Sequence, residues 1–128
     1  MTEEKKLIWL RRVLLLKVIL TFFAWGLPAL LGTEELLVFF NITMPENPIF
    51  LRSFGAAVTA FGVAYWFAYQ NPIANRDILR AGVVDNGLVT LAVVYLALTH
   101  GLESWYFSIS AVLTGLFCLA FIILMPAK

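Results

Sequence analysis

The chain has 128 residues, of which 62% are hydrophobic and 13% charged, with a net charge of +1 and a mean hydropathy of +0.90. Soluble domains are about 45–50% apolar and about 25% charged, so a water-soluble fold is excluded; the near-zero net charge and the lack of a long basic block exclude disorder and nucleic-acid binding. The single cysteine, Cys118, excludes an intrachain disulfide, a dithiol redox pair and a cysteine-built metal cage.

Crossing about 30 Å of hydrocarbon takes roughly 20 apolar residues in a helix. Four stretches qualify: 13–31, 49–69, 78–99 and 104–125. Of the 9 basic and 8 acidic side chains, only Lys17, Arg52, Arg80 and Asp85 fall inside them. The expectation is an all-α bundle of four transmembrane helices forming one integral membrane domain.

Span one, 13–31, is too long for a signal-peptide core of about 7–15 residues. It contains Lys17 and Pro28, and the proline removes the hydrogen bond to the Ala24 carbonyl, so a kink is expected at Gly26-Leu27-Pro28. In the loop that follows, Thr33 caps a helix with Glu34 and Glu35 in its first turn. The run Leu36-Leu37-Val38-Phe39-Phe40 then makes a short interfacial helix. Asn41-Ile42-Thr43 matches the glycosylation acceptor pattern, which three residues often do by chance.

Span two opens after Asn47-Pro48, a cap and first-turn proline, and stops at Asn71-Pro72. Ala56, Ala60, Ala64 and Ala68 recur every fourth residue beside Gly55 and Gly62, a small-residue ridge that lets helix backbones approach closely in lipid. The ridge can pack within the chain or against another protein. Arg52, near the outer end of this span, is expected to form a network with Glu103, with His100 and Glu46 at the same level. The alternative partner for Arg52 is an anionic group such as a lipid phosphate.

Asn75 is placed to cap span three, and Arg76 and Arg80 stand one turn apart where lipid headgroups lie. Asp85 is the deepest ionisable residue, next to Asn86 and on the face of Gly82. Such residues are costly in lipid and mark functional sites by default. Two readings stand: a clasp in which Lys17 of span one pairs with Asp85, or a proton, ion or ligand site. His100-Gly101 ends the span, and a lone histidine excludes a bis-histidine haem within one chain. In span four, Ser104/Ser108 and Ala111/Gly115 repeat the small-residue spacing more weakly. Cys118 reads as a small buried hydrophobe. Trp9, Tyr65, Trp66 and Tyr69 are expected in one interfacial aromatic belt, Trp105 and Tyr106 in the other.

Orientation follows from the basic residues. With the N-terminus inside, Lys5, Lys6, Arg11, Arg12, Lys17, Arg76, Arg80 and Lys128 all lie at the cytoplasmic side, and only Arg52 lies opposite. Both termini are therefore expected in the cytoplasm.

Known four-span families with readable motifs do not fit. Small multidrug exporters need a carboxylate in span one, where the only charge is Lys17, and disulfide-generating enzymes need paired cysteines. The run Phe50-Leu51-Arg52-Ser53-Phe54-Gly55-Ala56, opening span two after an outer loop, resembles small bacterial DoxX-like membrane proteins. That resemblance implies a bacterial inner-membrane setting, with some members serving quinone-linked oxidoreductases, and carries over no catalytic residue.

No metal set, nucleophile set or acid–base set is complete, so the expected role is non-enzymatic. The reading is an accessory subunit of a larger membrane complex, respiratory or photosynthetic, in contact with lipid, quinone or pigment and with other integral membrane proteins. The alternative is a small homo-oligomeric transporter or channel built on Asp85 and Asn86.

Overall fold

The computed structural model describes residues 1–127. Lys128, counted above among the inner basic residues, lies outside them. Four helical segments are long and apolar enough to cross a membrane: Glu3–Leu31, Ile49–Gln70, Arg76–His100 and Trp105–Leu124. They form an up-and-down bundle with both chain ends at one pole, where the Ala127 amide donates to the Glu3 carboxylate at 3.4 Å.

The first crossing is not one regular helix. It consists of α1 (Glu3–Leu20), a π-helical turn over Thr21–Gly26, and α2 (Leu27–Leu31). The backbone amide of Leu27 reaches back five residues to the Phe22 carbonyl. The irregularity thus starts earlier than the kink expected from Pro28 alone. Proline cannot serve the Ala24 carbonyl, and the chain answers by widening the preceding turn. The Tyr106 hydroxyl then donates to that carbonyl at 2.7 Å.

A short helix, α3 (Glu34–Phe39), begins as expected, with the Thr33 hydroxyl accepting from the Leu36 amide at 3.4 Å. It ends at Asn41, which adopts φ 60°, a left-handed conformation that asparagine tolerates after a helix. The Asn41 side-chain amide donates to the Glu103 carbonyl at 2.9 Å. Phe39 and Phe40 pack edge-on against Trp105, so α3 is stitched to the start of the last crossing.

The remaining crossings are α4 (Ile49–Gln70), α5 (Arg76–His100) and α6 (Trp105–Leu124). Asn47 accepts from the Ile49 amide at 3.1 Å, and Gly101 leaves α5 at φ +76°. Asn75 does not cap α5 with its side chain. Its amide instead donates to the Phe67 and Asn71 carbonyls at 3.1 and 3.0 Å, closing the end of α4.

Two helix pairs make up the bundle: the first crossing with α4, and α5 with α6. The first pair is drawn together by glycine. A Cβ at Gly55 would lie 2.3 Å from the Leu30 amide nitrogen, and one at Gly26 2.6 Å from the Thr59 hydroxyl. The alanine ridge is therefore not the intrachain seam. Ala56 and Ala60 are exposed, Ala64 is half-buried and only Ala68 is enclosed. The buried face of α4 runs instead through Gly55, Gly62, Tyr65 and Ala68.

Between the pairs lies a core of Leu10, Leu14, Val18, Trp25, Tyr65, Leu79, Phe117 and Phe121. Tyr65 is fully buried in it, a correction to its expected place in an interfacial belt. Trp9 and Trp66 are exposed, and the Arg12 guanidinium lies 5.0 Å from the Trp9 ring centre.

Candidate functional site

Lys17 sits in the middle of this core, and its surroundings define the most unusual chemistry in the chain. An ammonium removed from water needs hydrogen bonds or π faces in compensation. Its Nζ donates to Asn86 Oδ1 at 2.6 Å and faces the rings of Trp25, Tyr65 and Phe117 at 4.6, 5.3 and 4.8 Å. The side chain is 3% exposed. The expected Lys17–Asp85 ion pair does not form, because no carboxylate among the described residues reaches Lys17 within ion-pair distance.

The two charges are connected by a relay instead. The Asn86 amide donates to the Tyr65 hydroxyl at 3.2 Å and to the Gly82 carbonyl at 2.6 Å. The Tyr65 hydroxyl in turn donates to Asp85 Oδ2 at 3.4 Å. Lys17, Asn86 and Asp85 all line the seam between α4 and α5, but Lys17 and Asn86 are buried there whereas Asp85, one residue before Asn86 and about 100° around the helix, is half-buried. Adjacency in sequence thus gives the polar pair two degrees of burial on one cleft.

That seam is open. A cleft of about 460 Å³ runs along it, within the roughly 300–1,000 Å³ range of small-molecule sites. Phe54, Ala57 and Phe61 of α4 form one wall, and Val89, Ala92 and Val93 of α5 the other. The first crossing supplies the floor through Lys17, Thr21 and Trp25. These three are spaced by four residues, and the widened π-helical turn keeps them on one face. Tyr106, Ser110 and Thr114 of α6 close the back.

Most polar atoms around the cleft are already paired. The Trp25 indole donates to the Ser110 hydroxyl at 2.8 Å, and the hydroxyls of Thr90 and Thr114 meet at 2.7 Å. Thr21 differs: it is 2% exposed, and its hydroxyl has no partner among the described residues. A buried unpaired hydroxyl costs about 1–3 kcal/mol unless something else satisfies it.

The other sequence candidates fall elsewhere. Arg52 does not reach Glu103; its guanidinium donates to the carbonyls of Ala29 and Gly32 at 3.1 and 2.8 Å. It therefore neutralises the C-terminal end of α2, where helix carbonyls lack partners. His100 is exposed beside Thr99, 2.8 Å from its hydroxyl, and the Glu103 side chain is exposed as well. Arg80 pairs with Asp77 at 2.9 Å on the surface, a contact of little energetic weight. The Nε of half-buried Arg76 has no partner among the described residues. The thiol of half-buried Cys118 donates to the Val83 carbonyl at 3.5 Å. Thr21, Trp25 and Ser110 were not singled out from sequence, and Tyr106 was expected only as a belt residue, whereas it is half-buried with its hydroxyl on the Ala24 carbonyl. The recurrence of polar or aromatic residues at 17, 21 and 25, and of hydroxyls at 110 and 114, is the signal that points to them.

Comparison with protein-family models, with curated proteins and with solved structures gives no significant match for the chain.

Proposed function

We propose that the protein is a non-catalytic subunit of a larger membrane assembly, and that its bundle holds one lipid-soluble molecule in the cleft between α4 and α5. The observation carrying this reading is the cleft itself: apolar walls, a lateral opening, and a lining that brings a buried ammonium and a carboxylate together. A partner helix has a natural seat on α4, where Ala56 and Ala60 are exposed and free of intrachain packing. The setting we propose is a bacterial cytoplasmic membrane with both termini inside. Support comes from the pole carrying the chain ends, which gathers Arg11, Arg12, Arg76 and Arg80, and from the DoxX-like run at 50–56.

Extraction in mild detergent followed by native mass spectrometry tests the proposal. A stable high-mass complex retaining a non-covalent apolar adduct (lipid, quinone or pigment) is the expected result. A monodisperse monomer or homodimer without adduct would overturn it.

A second reading, a small homo-oligomeric transporter, is favoured by one feature. Asp85 is a half-buried carboxylate within a membrane span and has, among the described residues, a single long side-chain hydrogen bond. Asp85→Asn reconstituted in liposomes separates the two: loss of flux with unchanged thermal stability supports transport.

A further inference from the structure

The free hydrogen-bonding capacity of the cleft specifies what its occupant must look like. An ionised carboxylate offers about four acceptor positions, and Asp85 uses one, for the Tyr65 hydroxyl at 3.4 Å. Neither Arg nor Lys pairs with Asp85 among the described residues. The Thr21 hydroxyl is unpaired among the described residues as well, but it is buried beneath the cleft surface. The other polar side chains facing the cleft each hold a partner: Lys17 holds Asn86, Trp25 holds Ser110, Tyr106 the Ala24 carbonyl and Thr114 Thr90; the two further N–H donors of Lys17 belong to a side chain only 3% exposed.

Charge narrows the choice further. Lys17 and Asp85 both line the cleft, so it is already balanced. An anionic head would meet the open carboxylate, while the ammonium it needs is only 3% exposed at the cleft floor and already held by Asn86 and three aromatic rings. A cationic head would leave two positive charges and one negative in an apolar seam, which low polarity penalises. A neutral molecule that only accepts hydrogen bonds would set its oxygen against the carboxylate. A neutral molecule that donates one satisfies Asp85 and leaves the balance intact.

Resting on the reading that the cleft is a binding site, we propose that it selects a neutral, hydroxyl-bearing lipophile, whose O–H donates to the Asp85 carboxylate and whose apolar body lies between Phe54, Phe61 and Val93.

The test uses the full chain in zwitterionic nanodiscs and follows tryptophan fluorescence, to which Trp25 contributes from the cleft floor. The probes are para-nonylphenol, its methyl ether para-nonylanisole, dodecylamine and decanoate. Expected is saturable binding of the phenol, with the ether weaker by roughly ten-fold or more, the worth of one hydrogen bond to a charged group. Asp85→Asn should reduce the phenol-to-ether ratio several-fold. Because this replacement keeps size and shape at a half-exposed position, folding is checked by thermal melt, and the wild-type probe series decides even if the variant fails. Equal binding of phenol and ether would overturn the donor requirement while leaving the cleft a binding site. Tighter binding of dodecylamine or decanoate would overturn the neutral-ligand assignment. Absence of saturable binding by all four probes would overturn this inference together with the reading it rests on.

Discussion

Lys17 is stabilised less by attraction to an opposite charge than by one amide oxygen and three ring faces, and this makes its mutational response asymmetric. Lys17→Met removes the buried charge and leaves only the neutral Asn86 oxygen unpaired. Asn86→Leu leaves the ammonium in place without its acceptor. A buried charge stripped of its partner costs roughly 3–5 kcal/mol, whereas an orphaned neutral polar group costs about 1–3 kcal/mol. Thermal unfolding in detergent should therefore rank Asn86→Leu as clearly the more damaging; the reverse order would mean that Lys17 is solvated by some other route. A milder case lies outside the crossings. Glu35 is held below the ordinary carboxylate range by its own backbone N–H and then by the Thr33 hydroxyl. A depressed folded pKa contributes stability that is present above the unfolded value and lost as pH falls through the folded one. The first turn of α3 should accordingly fray on acidification through the carboxylate range, and Thr33→Ala should move that transition toward higher pH. Site-resolved NMR titration of Glu35 reads both.

Close helix approach on α4 depends on glycine, not on the alanines that recur beside it. The Cβ that Gly55→Ala adds would fall 2.3 Å from the Leu30 backbone nitrogen, far inside contact distance, and backbone cannot rotate away as a side chain can. Gly55→Ala should thus force α4 off the first crossing and lower thermal stability by roughly 1–3 kcal/mol, the range of core overpacking. Ala60→Leu, on an exposed position, should leave the isolated chain's stability unchanged. Equal losses from both would relocate the helix interface to the alanine ridge. Span positions, the Thr33 cap, the Asn71-Pro72 stop and the Gly101 exit were all legible in the sequence, because each rests on a local preference. The choice between glycine face and alanine ridge was not, since both have small-residue spacing and only the neighbouring helix decides between them. The π-helical turn was half legible: Pro28 signals a lost hydrogen bond, yet where the slack is taken up depends on Gly26 meeting Thr59 and on Tyr106 reaching the Ala24 carbonyl. Asp85 and Asn86 could be picked out as polar residues in a span, but their difference in burial, and the replacement of a Lys17–Asp85 pair by a relay through Asn86 and Tyr65, required the packed bundle.

At the scale of the molecule, two helix pairs meet along a seam. The first crossing and α4 are held by Gly26 and Gly55; α5 and α6 are held where Gly87 faces Cys118 and Gly115 faces Thr90. The buried hydrogen bonds tying one pair to the other are Lys17–Asn86, Asn86–Tyr65 and Trp25–Ser110, with Tyr106 on the Ala24 carbonyl. The residues making these bonds line the cleft, apart from Ala24. The seam is thus closed by polar contacts at its floor and back but left open between α4 and α5, where the pairs touch least. A fold that needed only to be stable would fill such a gap with apolar side chains, since unfilled volume forfeits dispersion contacts. Filling it by mutation separates stability from occupancy. Ala57→Phe adds a ring to the α4 wall of the cleft and leaves Lys17, Thr21 and Asp85 themselves unchanged. Its melting temperature in detergent should equal or exceed that of the parent chain, and any apolar adduct seen by native mass spectrometry should be lost. Ala60→Phe, one turn along α4 and outside the cleft lining, should leave the adduct in place. Retention of the adduct by Ala57→Phe would place the ligand outside this cleft. A marked fall in melting temperature would instead mean that α4 and α5 draw closer in the membrane than a binding cleft allows.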